Sequence, residues 1–117
     1  MNQEIKKRWV DALRSGKYKQ CTGALHKTDG GFCVLGVLCD LYDSNLWTQA
    51  PCNDIYYDFS KWGHSYLPKK VIQWADIGSI VYCGPQVDFN DSKQYLSDLN
   101  DRGLSFVELA DIIDQQL

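Results

Sequence analysis

The sequence predicts an α+β fold, mostly α. It reads as one compact domain over residues 1–117, with about four to five helices, a minor short-stranded β element and a C-terminal helical hairpin. Three observations predict it. A chain of 117 residues has room for one core. Apolar residues recur at helical spacing near both ends of the chain. Between them lies a stretch rich in aromatics and turn residues. Surface scaling buries roughly two-thirds of the open chain's area, enough for a core without disulfide or metal staples. Hydrophobic residues make up 44% and charged residues 23%, ordinary values for a folded chain.

The first element is a helix over 3–14, with Ile5, Trp9, Ala12 and Leu13 on one stripe and Glu4, Lys7, Asp11 and Arg14 facing away. Gly16 is its stop. The tract Thr28-Asp29-Gly30-Gly31 is a turn by composition. Residues 32–41 are the most apolar stretch. Val and Phe favour a strand, whereas Leu and the length favour a central helix buried on nearly all sides; the helix is expected, with a strand as the alternative. In that helix Gly36 permits close approach by another element. Residues 43–66 hold Trp47, Tyr56, Tyr57, Phe59, Trp62 and Tyr66 among turn formers, and read as a long loop with one or two short strands, such as 55–59. Pro68 opens a helix carrying Val71, Ile72, Trp74 and Ala75. Residues 80–82 suggest a short strand. Residues 92–99 are expected to form one helix with Tyr95, Leu96 and Leu99 inward. After the turn at 100–103, Ser105 and Glu108 form a capping box ahead of a last helix with Phe106, Leu109, Ala110 and Ile113 on one stripe.

Composition and motifs exclude several functions. The net charge of −3 argues against duplex DNA as a partner, because phosphate neutralisation supplies most of that affinity. The segment 103–110 resembles the opening of some repressor motifs, but Glu108, Asp111 and Asp114 would repel phosphate. Asp98, Asn100 and Gly103 fall at positions 1, 3 and 6 of an EF-hand frame, which Arg102 and Leu109 then break. No apolar run approaches the roughly 20 residues needed to span a bilayer, so no membrane is expected. The charged N-terminal stretch lacks the apolar region of a signal peptide, and the expected compartment is the cytoplasm. Five cysteines (Cys21, Cys33, Cys39, Cys52, Cys83) are then thiols. With His26 and His64 they match no zinc template, so no metal or other cofactor is expected. A Cys21 thiolate paired with His26 or His64 is the one nucleophilic arrangement that can be written, but no nucleophile, metalloprotease or phosphate-loop motif accompanies it. Catalysis is therefore not expected.

One cationic cluster stands out: Arg14, Lys17 and Lys19, interleaved with Tyr18 and followed by Gln20. Cations, an aromatic face and an amide suit an anionic, ring-bearing ligand. A solvated surface patch is the plainer account of the same residues.

The strings 8–20, 23–25, 33–41 and 99–113, together with Leu67-Pro68 and Trp74-Ala75, resemble a family of small proteins of unassigned function. That family is scattered through tailed-phage, prophage and bacterial genomes. The resemblance covers nearly the whole chain except the loop near 43–63. It implies a phage counter-defence protein in a host cytosol that acts by binding. The leading expectation is sequestration of a small anionic nucleotide signal of host immunity. Arg14, Lys17, Tyr18, Lys19 and Gln20 would be its contacts, in a pocket that a homo-oligomer would complete at a subunit interface. A protein–protein interaction module inhibiting a host factor is the second expectation, and an enzyme degrading the signal the third.

Overall fold

The first helix, α1 (Gln3–Arg14), begins where the Asn2 side chain accepts from the Ile5 N–H at 3.0 Å. It ends at Ser15, after which Gly16 adopts φ +75°. Ile5, Trp9, Val10 and Leu13 are buried, while Ala12 is only partly so. The structure is a computed structural model and describes residues 1–51, 53–78 and 83–117. The strand expected at 80–82 and Cys52 lie outside these residues.

The apolar stretch forms the central helix α2 (Val34–Tyr42), as its Leu content and length favoured. The strand alternative survives only as Gly31–Phe32, which leads through the extended N-cap Cys33 into the helix. The Cys33 Sγ caps the helix by accepting from the Gly36 N–H at 3.4 Å. Residues from Val34 to Cys39 are all buried, because α2 packs against α1 on one side and against two later helices on others. The fully buried Trp9 indole locks α1 to α2 by donating from Nε1 to the Val34 carbonyl at 3.0 Å. A Cβ on Gly36 would lie 1.8 Å from the Leu25 carbonyl oxygen, so this position is where the 24–26 backbone crosses the helix.

Among the described residues three two-stranded sheets accompany this core. Strands β1 (Lys19–Gln20) and β2 (Gly31–Phe32) pair in parallel. Within the aromatic excursion, a 3-10 turn at Ser44–Leu46 leads to β3 (Trp47–Gln49), which pairs antiparallel with β4 (Tyr57–Phe59). The strand expected at 55–59 is thus present in shorter form. A second 3-10 turn, Ser60–Trp62, follows. The excursion is tied down rather than free: the Leu25 N–H donates to the His64 carbonyl at 2.8 Å and the Tyr57 N–H to the His26 carbonyl at 2.9 Å. Helix α3 (Lys69–Ala75) follows with Pro68 at its N-cap, burying Val71, Ile72 and Ala75.

The helix expected over 92–99 is corrected. Residues 92–95 are strand β6 (Ser92–Tyr95), paired antiparallel with β5 (Gln86–Phe89), and only α4 (Leu96–Asp101) is helical. The cause is the Asn90-Asp91 pair, both at positive φ (50° and 64°), the two-residue turn whose twist matches a hairpin. Gln116 of the last helix, α5 (Phe106–Gln116), grips β5 by accepting from the Asp88 N–H and donating to its carbonyl. The Ser105–Glu108 capping box forms in both directions, and α5 packs along α1. Together α4 and α5 make the expected helical hairpin, and the whole is α+β with helices dominant. Among the described residues no helix is long and apolar enough to cross a membrane.

Candidate functional site

The Arg14–Gln20 segment is the natural starting point, since it joins α1 to β1. Arg14 turns toward α5, with its guanidinium 2.7 Å from Asp111 and 3.7 Å from Asp114, and the hydrogen bond to Asp111 raises its pKa further. The Lys17 side chain is exposed and hydrogen-bonds no described residue; its backbone N–H donates to Ser15 Oγ. Tyr18 turns inward: its hydroxyl donates to Asp40 at 2.7 Å and its ring meets Phe32 edge-on at 5.0 Å. Burial, reinforced by that hydrogen bond to a carboxylate, raises the phenol pKa. Lys19 lies 3.4 Å from Asp29, whose carboxyl is held below its usual range by the Gly31 N–H first and by Lys19 second.

Gln20 points the other way, into the junction of α4 and α5. Its amide donates to Asn100 Oδ1 at 2.9 Å and to the Leu104 carbonyl at 2.8 Å, and its carbonyl oxygen accepts from the Phe106 N–H at 3.2 Å. The segment therefore sends its side chains in different directions. Of its five candidates only Arg14 borders a described cavity, a cleft of about 370 Å³ between α1 and α5 that also has Lys6, Lys7, Asp11 and Asp114 on its walls.

The aromatic excursion supplies two different environments. On the core side its rings pack on one another. His26 lies between Phe32 (centroids 3.7 Å apart) and Tyr57 (4.6 Å), with Trp47 edge-on at 4.9 Å. The His26 Nδ1–H donates to the Gly31 carbonyl at 2.7 Å, and Trp47 Nε1 donates to Asp40 at 3.0 Å. This face is a filled strap.

On the outer side, where the excursion runs into α3, Trp62, Tyr66, Leu67, Pro68 and Lys69 line a cleft of about 340 Å³. The Trp62 ring has the Lys61 and Lys70 ammonium groups 5.8 and 6.0 Å from its centroid, and Tyr66 is 59% exposed. Lys69 thus lines an apolar, aromatic cleft and two more lysines stand near its Trp62 ring, an arrangement able to take a flat ring and a negative charge together. Sequence reading placed these aromatics in the loop but did not connect Lys61, Lys69 and Lys70 with them. The signal was present as Lys61-Trp62 and Tyr66-Leu67-Pro68-Lys69-Lys70.

Tyr66 also borders a second cavity of about 190 Å³, whose polar walls come from Ser65, Ser97, Cys83 and Asp101. A third, of about 280 Å³, holds Tyr56 stacked on His64 at 4.0 Å with Asp58 3.6 Å from His64 Nδ1.

The thiols do not support a thiolate–imidazolium pair. Burial pushes Cys21 up to about 11 and Cys33 up to about 12, and holds Cys39 well above its ordinary value. The Cys21 thiol donates to the Ala24 carbonyl, and among the described residues no imidazole hydrogen-bonds to it. Among the described residues no three His, Cys, Asp or Glu side chains gather as a metal site.

No curated protein and no solved structure matches the chain. A family model does, from residue 1 to residue 117, so the chain belongs over its whole length to the family described as "Domain of unknown function (DUF8296)".

Proposed function

We propose that this is a non-catalytic binding protein for a small anionic, ring-bearing ligand of the nucleotide class, held in the cleft of Trp62 and Tyr66. The observation that carries the reading is Lys69 on the wall of that cleft with Lys61 and Lys70 beside its Trp62 ring. An aromatic ring offers a base roughly 1–3 kcal/mol of stacking. Ammonium groups supply charge-assisted hydrogen bonds to phosphate. A cleft of about 340 Å³ lies at the small end of ligand-sized sites. Burial of Cys21, Cys33 and Cys39, which holds their thiols protonated, favours binding over nucleophilic chemistry at those three positions.

The resemblance to phage and prophage proteins supplies the biological reading: sequestration of a nucleotide signal of host immunity inside the infected cell. The family-like strings 8–20, 33–41 and 99–113 build the core and its junctions, and the family-like Leu67-Pro68 pair lies on the wall of the cleft itself. A second reading, a module that inhibits a host protein, is favoured by Ile55 and Tyr66, which stand 60% and 59% exposed on the aromatic excursion and its exit.

Thermal shift and calorimetry with nucleoside monophosphates, cyclic dinucleotides and inorganic phosphate test the reading. A bound nucleotide at 100 times its Kd stabilises the fold by about 2.7 kcal/mol. Tyr66→Ala, at an exposed wall, should weaken that binding about tenfold. Intact ligand recovered after denaturing the complex supports sequestration, and a cleaved one the degrading enzyme. A protein that no nucleotide stabilises, or whose nucleotide affinity survives Tyr66→Ala unchanged, overturns this assignment of the cleft.

A further inference from the structure

Tyr66 is a wall of both the 340 Å³ cleft and a neighbouring 190 Å³ chamber. The two compartments differ in chemistry. The first has Lys69 on its wall and Lys61 and Lys70 around Trp62. The second is largely apolar, with Ala24, Cys33 and Leu35 on its walls, and carries the Asp101 carboxylate beside Ser65 and Ser97. The Ser97 hydroxyl has already spent its proton on the Cys83 carbonyl, at 3.1 Å, and presents lone pairs. Asp101 Oδ1 accepts from the Gly23 N–H at 3.2 Å and from Asn100 Nδ2 at 3.3 Å, and no described residue hydrogen-bonds its Oδ2. Asn100 is fully buried and hydrogen-bonds three further partners, Gln20, Val34 and Cys21, so the carboxylate is presented from a rigid support.

Resting on the cleft assignment above, we infer that Asp101 is a specificity-determining residue. The ligand lies across both compartments with its phosphate among Lys61, Lys69 and Lys70. It delivers an N–H or O–H donor, from a base edge or a ribose, to Asp101 Oδ2. Charge fixes this polarity. A phosphate in the chamber would face the carboxylate, whereas a donor there completes the free oxygen. The chamber therefore selects against ligands whose far end carries only acceptors.

Calorimetry with guanosine 5′-monophosphate, its 2′-deoxy form and inosine 5′-monophosphate tests this on the full chain. The deoxy form lacks a ribose hydroxyl and inosine lacks the exocyclic amine, so the pair separates the two donor sources. Wild type should bind at least one of the two about tenfold more weakly than the guanosine nucleotide. Asp101→Asn should bring the three within about twofold of one another, because it sets a donor where Oδ2 accepted while its carbonyl oxygen keeps the Gly23 contact. Ser97→Ala, with an unchanged melting temperature, should narrow the same difference. If wild type binds all three equally, or Asp101→Asn keeps the discrimination, the role of Asp101 is overturned while the lysine–aromatic cleft stands. If none of the three binds at millimolar concentration, both are overturned.

Discussion

Gln20 and Asn100 meet through a single 2.9 Å hydrogen bond across 80 residues of chain, and between them they hold four elements together. Asn100 Oδ1 also accepts from the Val34 N–H at the start of α2, and its amide donates to the Cys21 carbonyl just after β1. Gln20 joins β1 to the turn after α4 and to the first N–H of α5. No described buried side-chain polar atom is left without a partner, and this pair is a large part of the reason.

Asn100→Ala should therefore destabilise the fold by about 3 kcal/mol, since it strands the buried Val34 N–H and the half-buried Cys21 carbonyl at once. Gln20→Ala should cost less because its site is only partly buried. In urea denaturation the two losses should fail to add by about 1 kcal/mol, the signature of one shared network. Additive losses would show the two residues acting independently.

Gly36 makes a sharper packing test. Its missing Cβ is replaced by the Leu25 carbonyl, which also accepts from the Cys33 N–H at 3.0 Å and so cannot withdraw without breaking the helix entry. Gly36→Ala should destabilise by about 3 kcal/mol despite the better helix propensity of alanine. Gly16→Ala meets no atom within 4 Å and strains only a positive φ, which should cost about 1 kcal/mol. Denaturant midpoints of the two variants check the order; a harmless Gly36→Ala would refute the crossing geometry.

These residues mark how far the sequence could be read. Elements whose cause is local were legible. The stripe of α1 and the box at Ser105 and Glu108 each need only neighbours in sequence, and Gly36 marked a close approach without saying that Leu25 makes it. The hairpin was missed because Tyr95, Leu96 and Leu99 have helical spacing, and that pattern outweighed the Asn90-Asp91 turn beside it. Gln20 was legible as a polar residue near cations, but its partners lie some 80 to 86 residues away. No local pattern distinguishes an amide that binds a ligand from one that binds the chain itself. Lys61 is Trp62's neighbour in the chain, but Lys70 reaches the same ring from α3, a convergence that needs the fold.

The buried thiols give the fold an alkaline limit. An unfolded thiol titrates near 9.0, whereas burial pushes Cys33 up to about 12. Between these values the unfolded chain has lost a proton that the folded chain keeps. Stability is therefore complete below pH 9 and falls as pH rises toward 12. For Cys33 the slope is about 1.4 kcal/mol per pH unit at most. Cys33→Ser removes this titration and keeps a side chain able to cap α2, so its midpoint should fall less between pH 8 and pH 10.5 than that of wild type. Alkylation at pH 8 followed by mass spectrometry should leave Cys21, Cys33 and Cys39 unlabelled in the native protein and labelled in urea.

The last expectation sets two pairs of lysines against each other. Lys17 and Lys19 sit in the segment whose residue types suit an anion, but Lys19 already faces Asp29 and the Lys17 side chain borders none of the described cavities. Lys61 and Lys70 flank the Trp62 ring. All four are surface residues, so their removal should leave the melting temperature nearly unchanged. Lys61→Ala with Lys70→Ala should lower nucleotide affinity about tenfold and flatten its dependence on salt, because phosphate attraction is screened over about 10 Å at 0.1 M. Lys17→Ala with Lys19→Ala should change it by less than about twofold, within the range of exposed charges remote from a ligand. The opposite result would return the phosphate to the exit of α1 and leave the Trp62 cleft as packing alone.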